Sequence, residues 1–239
     1  ASYFGANTYF SGKVANDDNG QFYMQDMLNA GVSVPNHREW EDGITGKCLI
    51  LITPDAERSM NTFLGASETF SSNELDPEAI KQSEYLYIES YLVTSDSGRA
   101  AAIEARKIAR SNGTKVSLSF SDPGIVAHFK QGIDEIMGGK IDLVFCNQDE
   151  ALAYAETDNL DAAIETLKKQ SEEFVITQGA KGALIYDGNT LIQVDGVNVD
   201  AVDTNGAGDM YAGAYLYGIT NGMDHQQAGA FASKAASKV

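Results

Sequence analysis

The sequence predicts an α/β protein with a mostly parallel, doubly wound sheet and a small β lid. From Asp76 onward, short apolar runs typical of buried strands alternate with longer segments of helical periodicity. Before this alternation, residues 44–64 contain two strand-like segments with no helix between them. Strands separated by helices form parallel sheets that are covered on both faces. We therefore expect one α/β core and a separate hairpin.

Each core element is marked by local signals. The predicted strands are short apolar runs at positions 85–92, 115–120, 141–146, 174–177, 183–186 and 191–194. The predicted helices lie at positions 97–111, from after 124 to about 137, at 148–155, at 160–170, and from Gly206 and His225 onward. Asn112-Gly113 closes the first of these helices, and Asp122-Pro123-Gly124 precedes the second.

Residues 44–64 differ from the rest of the chain. Two strand-like segments, 46–52 and 58–63, flank the turn Pro54-Asp55-Ala56-Glu57. The pattern leaves two interpretations equally open, a lid over a binding site and an ordinary edge hairpin.

The composition excludes several classes of protein. The chain has 239 residues, of which 43% are hydrophobic, so it can bury a sizeable core as one domain with a small appendage. The net charge of −17 disfavours nucleic acid and anionic membranes as partners, because both require a basic face. No apolar run approaches the length of a membrane span. Cys48 and Cys146 lie in apolar runs, and we expect buried free thiols in a reducing, cytoplasmic compartment.

The run from Asp203 to Asp209, Asp-Thr-Asn-Gly-Ala-Gly-Asp, is the most informative motif. Gly206 and Gly208 permit a tight turn and a close approach of the backbone to a ligand. The first amides of the following helix have no intrahelical partner and suit a phosphate oxygen. Asp209 lies in the same first turn, where a carboxylate can orient a hydroxyl and accept its proton late in phosphoryl transfer. A glycine-rich turn with an aspartate that only complements the helix dipole is an equally good interpretation.

Two familiar phosphate-binding motifs fail on spacing. A Walker A loop requires Gly-Lys-Ser/Thr, whereas Gly208 is followed by Asp209 and Met210. A dinucleotide fingerprint requires a third glycine at the position of Tyr211. A nicotinamide-dependent dehydrogenase is therefore disfavoured.

Two weaker motifs also follow predicted strands. Asn147-Gln148-Asp149-Glu150 has the form of a capping box, with Asn147 at the N-cap and Glu150 three residues later. The segment 177–182, Thr-Gln-Gly-Ala-Lys-Gly, has the form of a glycine-rich hairpin loop. Ligands of such sheets bind at the carboxyl ends of the strands, so the three motifs together favour one functional site.

In order and spacing, these three motifs resemble the signatures of the ribokinase-like kinases, the phosphofructokinase B (PfkB) family of sugar and nucleoside kinases. The resemblance covers essentially the whole chain, including Ser11 to Val14, the motif Asp17-Asp18-x-Gly20 and Gly65-Ala66. It implies a phosphotransferase that uses ATP and Mg²⁺, and it leaves dependence on a monovalent cation open.

The resemblance also implies a role for each motif. Asp209 would be the catalytic base, and Gly206, Ala207 and Gly208 would form the anion hole. Asn147 and Glu150 would govern the metal and phosphate region, with Glu150 acting on the metal through water. The residues lining the nucleotide would be Thr177, Gly179, Lys181, Gly182, Asp203 and Asn205.

The resemblance is less specific about the acceptor, which is the substrate that receives the phosphoryl group. Asn205 within the main motif, Thr45 to Cys48 and Arg58 to Met60 are most similar to adenosine kinases. Glu89 instead resembles the acidic residue with which ribokinases bind their sugar. We expect a nucleoside, adenosine first, with a ribose-, fructose- or ketogluconate-type sugar as the alternative. A non-catalytic nucleotide-binding relative is a further alternative, and the protein is expected to be a monomer or a homodimer.

The resemblance divides the chain into residues 1–31, the start of the α/β core, residues 32–66, the β lid, and residues 67–239, the core with the nucleotide site. In the family, a Gly-Gly segment forms the hinge of the lid, and an Asn and an Asp upstream of it bind the acceptor. These residues have no counterpart in this sequence, which starts at Ala1. We therefore expect these residues to belong to a longer protein.

Overall fold

A computed structural model describes residues 1–34, 42–52, 58–199 and 204–239. Its α-helices are α1 (Asp18–Asn29), α2 (Pro77–Gln82), α3 (Asp96–Ser111), α4 (Pro123–Met137), α5 (Gln148–Ala155), α6 (Leu160–Gln170), α7 (Ala207–Thr220) and α8 (His225–Ala236). Its strands are β1 (Lys47–Ile52), β2 (Arg58–Phe63), β3 (Tyr85–Glu89), β4 (Lys115–Ser119), β5 (Ile141–Asn147), β6 (Ser171–Thr177), β7 (Ala183–Tyr186) and β8 (Leu191–Val194). Among the described helices, none combines the length and the apolar character needed to cross a membrane.

Strands β3 to β8 form one six-stranded sheet in which they follow one another in sequence order. Strands β3 to β6 run parallel, whereas β7 and β8 are added antiparallel. Each parallel connection contains at least one helix, as a parallel crossover requires. The prediction of a mostly parallel α/β sheet is confirmed.

Helices cover both faces of this sheet. Along β5, Val144 and Cys146 belong to the apolar cluster that contains residues of α3 to α6. Leu143 and Phe145 alternate with them and belong to the cluster that contains residues of α7 and α8. Successive side chains of a strand point to opposite faces, so this alternation describes a doubly wound sheet with two apolar layers.

Local signals explain the helix boundaries. The Asp122 side chain accepts hydrogen bonds from the amides of Gly124 at 2.7 Å and Ile125 at 3.1 Å, and Pro123 occupies the first turn of α4. Gly138 ends α4 in the left-handed conformation, with φ 58°. The sequence analysis used Asp122 and Pro123 as the start signal, and the predicted helix is confirmed; Gly138 is a stop residue that it did not name.

The first strand of the core is shorter than predicted. It ends at Glu89, and Ser90–Thr94 form a 3-10 turn instead of continuing to position 92. The Ser90 amide donates to the Ser121 hydroxyl at 3.0 Å, and the Ser90 hydroxyl donates to the carbonyl of Ser119. These bonds hold the turn that follows β3 against the end of β4. Val93 is then buried in the core, which explains why the run looked like strand.

The hairpin β1–β2 forms its own two-stranded antiparallel sheet. Leu49, Leu51 and Phe63 on one of its faces are 63%, 55% and 53% exposed. Cys48 is also exposed, so the expectation that both cysteines are buried is wrong for Cys48 and right for Cys146. The reason is that an apolar run buries its side chains only where a second layer covers it. The predicted turn at residues 54–57 lies outside the described residues.

Candidate active site

Three of the predicted site residues, Glu89, Asn147 and Thr177, lie at the carboxyl edge of the parallel strands. Glu89 and Ser119 end β3 and β4 and are partners in the strand register. Asn147 and Thr177 end β5 and β6 and are partners in the same way. The sheet therefore places the Asn147 motif directly beside the loop that follows Thr177.

The start of α7 has the predicted anion-binding form. Gly206 is the N-cap with φ 82°, in the left-handed region that glycine adopts without strain. Asp209 is the third residue of the helix and is exposed. A side chain built at Gly208 would meet no atom within 4 Å. Helix-terminal amides next to open space suit an anionic ligand that approaches the backbone.

Two details of this motif differ from the sequence analysis or lie beyond the described residues. The motif was expected to follow a strand directly, but β8 ends at Val194 and residues 195–199 are irregular. Asp203 lies outside the described residues. Within the motif, the Ala207 amide donates to the carbonyl of Thr204 at 3.2 Å, which makes a turn ahead of the helix.

Asn147 and Glu150 form the capping box that the sequence favoured. The Asn147 side-chain oxygen accepts from the Glu150 amide at 2.8 Å, and the Glu150 carboxyl accepts from the Asn147 amide and side-chain nitrogen, both at 2.8 Å. Glu150 is only 6% exposed. Burial raises its pKa to about 7, with contributions from the charges of Asp122, Glu89 and Asp149, while the Asn147 amide opposes the rise.

The loop after Thr177 is a hairpin loop, as its glycines indicated, because β6 and β7 are antiparallel. Gln178 joins it to α5 by donating to the Gln148 side chain at 2.9 Å. Lys181 is exposed, and a side chain built at Gly179 would meet no atom within 4 Å. Gly182 is different, since its Cβ would lie 2.0 Å from the Val194 carbonyl oxygen. The open side of this loop at Gly179 is available to a ligand.

Glu89 belongs to the same environment as Asp209. Its carboxylate accepts from the Tyr87 hydroxyl at 2.7 Å and from the Ser121 hydroxyl at 2.6 Å. Burial raises the pKa of Tyr87 well above its usual value, and the charges of Glu89 and Asp209 add to the rise. Because charges act strongly only at short range in water, this shared influence indicates that Asp209 and Glu89 both lie near Tyr87.

That region is strongly acidic. Burial raises the pKa of Tyr91, which follows β3, and the charges of Asp122, Glu89 and Glu150 contribute to the rise. A phosphate could enter such a field only beside helix-terminal amides or a cation. The start of α7 supplies the amides.

A cavity of about 380 Å³ lies between the hairpin and the segment that precedes α1. Aromatic and aliphatic side chains dominate its wall, and the charged residues lining it are Lys13 and Lys47. The volume falls within the range of small-molecule sites, which are usually apolar with a few polar groups. Phe10, Tyr23, Phe63, Phe70 and Leu92 are among the residues that line it.

The sequence analysis did not identify the connection that joins the hairpin to α1. The Asp17 carboxylate caps α1 through the Gly20 amide at 2.8 Å and also accepts from the amide and hydroxyl of Thr45. The hydroxyl bond is the largest of the causes that lower the pKa of Asp17 to about 2. The sequence analysis used Asp17 only as part of the motif Asp17-Asp18-x-Gly20 and did not predict α1, and the partner of Asp17 in the hairpin is distant in sequence.

A glycine-rich helix start and carboxylates at the ends of neighbouring parallel strands are features that phosphoryl-transfer enzymes use. The chain matches the family described as pfkB family carbohydrate kinase over residues 1–239, and it belongs to this family. The predicted family and class of enzyme, a phosphotransferase, are confirmed at this level, and membership of a kinase family implies the use of ATP.

The chain is similar to several characterised and solved relatives. It is 30% identical to the adenosine kinase of Schizophyllum commune over 75% of this chain and 58% of that protein. The structure of adenosine kinase from Sinorhizobium meliloti matches with a TM-score of 0.94 at 31% identity, covering 98% of this chain and 72% of that one. A probable sugar kinase from Rhizobium etli matches with the same TM-score at 29% identity, covering 99% of this chain and 72% of that one.

Proposed function

We propose that the protein transfers the γ-phosphoryl group of ATP to a primary hydroxyl of a nucleoside, with adenosine as the favoured acceptor. The observation that carries the proposal is the start of α7, where the Gly208 backbone borders open space and the exposed Asp209 lies in the same first turn. Asp209 would hold the acceptor hydroxyl and accept its proton as the phosphoryl group leaves ATP. The amides of Gly208 and Asp209 would stabilise the transferred group, whereas the Ala207 amide donates to the Thr204 carbonyl.

The residues present fit ATP and Mg²⁺. The open face at Gly179 and the helix start at Gly208 both admit phosphate or nucleotide close to the backbone. Across the described ranges, no three His, Cys, Asp or Glu side chains converge on one metal position. This is compatible with Mg²⁺, which keeps several waters and uses one or two carboxylates plus substrate phosphates. Mg²⁺ would neutralise phosphate charge when bound, and Glu150 would hold its water.

Two features bear on the acceptor. The apolar, aromatic wall of the hairpin cavity favours a planar base, and adenosine kinases are among the relatives. Glu89 can accept hydrogen bonds from sugar hydroxyls, which supports the alternative of a ribose- or fructose-type acceptor. A ketogluconate, the third alternative, would bring its own carboxylate close to that of Glu89 and is favoured less. Under either proposal, residues 32–66 act as the lid that excludes water from the acceptor.

A panel of acceptors tests the proposal. Adenosine, ribose, fructose and 2-keto-3-deoxygluconate are compared at one ATP and Mg²⁺ concentration by acceptor-dependent ADP release. Turnover of adenosine with none of the sugars supports the nucleoside kinase, and the reverse result selects the sugar kinase. ATP binding without turnover of any acceptor would show a non-catalytic relative.

The role proposed for Glu150 predicts a specific change in metal dependence. Glu150→Gln should raise the Mg²⁺ concentration needed for half-maximal turnover several-fold, because a neutral amide holds a hydrated cation less well. The helix should persist, since α8 already uses Gln227 in the same type of box. Glu172→Gln, which removes a carboxylate paired with Lys140 away from the site, is the control. An unchanged Mg²⁺ titration would leave Glu150 with only its capping role.

The same variant also measures how much Glu150 contributes to the pH dependence of the unfolding free energy. The folded-state pKa of Glu150 is raised, so the stability it contributes is fully present below its unfolded value of 4.5. That contribution should fall as the pH rises towards about 7. The difference in unfolding free energy between wild type and Glu150→Gln, measured by urea denaturation from pH 4.5 to pH 8, should therefore decrease across this interval.

A further inference from the structure

We propose that Tyr87 and Ser121 are positioning residues that hold the Glu89 carboxylate as a hydrogen-bond acceptor for hydroxyl groups of the acceptor substrate. The proposal rests on the proposed kinase function and deepens it, because it states what the acceptor must present. It concerns a neutral acceptor with hydroxyl groups in addition to the one that is phosphorylated.

The two hydroxyls fix the orientation of the Glu89 carboxylate. Tyr87 donates to Oε1 at 2.7 Å, and Ser121 donates to Oε2 at 2.6 Å. Rotation of the carboxylate about its last bond would break both hydrogen bonds. Each carboxylate oxygen can accept a further donor, since an ionised carboxylate has about four acceptor positions. A fixed carboxylate with unused acceptor capacity is suited to a ligand that brings O–H donors.

The surroundings of Tyr87 keep its hydroxyl protonated and in place. Its ring packs against Phe145 with centroids 6.1 Å apart, and Phe145 packs edge-on against Tyr215 of α7 at 5.7 Å. Helix α7 is the one that begins beside Asp209. Burial and the nearby carboxylates raise the pKa of Tyr87, so it remains a donor at physiological pH. Tyr87 therefore connects Glu89 to the helix that carries the proposed base.

Ser121 adopts a backbone conformation that is costly for serine. Its φ is 65°, in the left-handed region that favours glycine. The conformation brings the Ser121 hydroxyl to Glu89 and lets it accept from the Ser90 amide at 3.0 Å. The Ser121 amide donates to the Ser119 hydroxyl at 3.2 Å. Strain of this kind persists where the surroundings over-determine a residue, and here they aim one hydroxyl at a carboxylate of the candidate site.

The charge around Glu89 defines the acceptor that it can receive. Glu89 accepts hydrogen bonds and donates none when ionised. The charges of Asp122 and Glu150 act on the same region, as the raised pKa of Tyr91 shows. An acceptor with its own phosphate or carboxylate would be repelled there, whereas hydroxyls of a nucleoside ribose or of a free sugar would be attracted.

The test compares Tyr87→Phe and Ser121→Gly with wild type, using the acceptor selected by the panel and its deoxy analogues. Both variants should raise the KM for the acceptor by roughly 5- to 50-fold, the range expected when a hydrogen bond to a charged group is weakened. The kcat and the KM for ATP should stay within about twofold, since the proposed base and nucleotide loop are intact. The increase should largely vanish for the deoxy analogue that lacks the hydroxyl bound by Glu89.

Two controls separate positioning from folding. Ser121→Gly relieves backbone strain but leaves the amide of the buried Ser90 without its hydroxyl partner, and these opposing effects should keep its melting temperature close to that of wild type even though the acceptor KM rises. Tyr85→Phe removes a hydroxyl from the other end of β3 and should leave the acceptor KM unchanged.

The outcomes of the two proposals can be told apart. An active kinase in which Tyr87→Phe and Ser121→Gly change neither the acceptor KM nor the discrimination against the deoxy analogue would overturn the positioning role and leave the kinase function standing. A rise in KM equal for the parent and every deoxy analogue would also overturn it. Absence of turnover with any acceptor would overturn both proposals.

Discussion

Asp209→Asn is expected to lower turnover by roughly two to four orders of magnitude, the range for loss of a positioned acid or base. The substitution keeps the size of the side chain and removes its ability to accept a proton. Asp209 is exposed in the first turn of α7, so the fold and the affinity for ATP should change little. Steady-state ADP release, ATP binding by calorimetry and thermal unfolding measure the three quantities.

Asp224→Asn is the matched control for this variant. Asp224 caps α8 and accepts from the Gln227 amide at 2.8 Å, so it too is a carboxylate at a helix start. Asparagine is an equally good N-cap, and the control should keep both stability and turnover. If Asp209→Asn retained more than about a tenth of wild-type turnover, the proposed base would be wrong.

Gly182→Ala should be more destabilising than Gly179→Ala in the loop formed by residues 177–182. Gly182 has φ 93° and ψ −128°, and an added Cβ would lie 2.0 Å from the Val194 carbonyl oxygen. Backbone strain and overpacking together suggest a cost of about 2–5 kcal/mol. For a chain of this size the melting temperature should fall by about 4–20 °C, a shift that calorimetry measures directly.

Gly179→Ala provides the comparison within the same loop. Gly179 also has a positive φ, 56°, but an added Cβ would meet no atom within 4 Å. Its cost should be limited to the strain of a left-handed residue, about 1–2 kcal/mol. Equal destabilisation by the two substitutions would contradict the contact between Gly182 and Val194 as the cause.

Much of the core could be predicted from the sequence because its signals are local. Helices α5 and α6 occupy the predicted residues, since Asn147 and Asn159 cap their first turns as short-range hydrogen bonds require. The sequence was misleading where an apolar run indicated burial but not the type of structure that is buried. Tyr91 to Val93 are apolar because a 3-10 turn packs into the core, not because β3 continues.

The individual motifs of the candidate site could be predicted from the sequence, but the contacts between them could not. The glycines of the α7 start and the capping box at Asn147 and Glu150 were visible as motifs. Their roles in binding and catalysis stay proposals. Nothing local to Ser121 indicated that its hydroxyl would reach Glu89, because that contact depends on β3 and β4 being neighbours in the sheet.

Local sequence signals were sufficient to predict the alternation of elements, most of the helix boundaries and the glycine-rich start of α7, because periodicity, caps and glycine conformations act over a few residues. Only the tertiary structure decided which carboxylates share one region, that Cys48 is exposed while Cys146 is buried, and that Asp17 ties the hairpin to α1. These features depend on contacts between segments far apart in the chain, and burial and electrostatics are properties of such contacts.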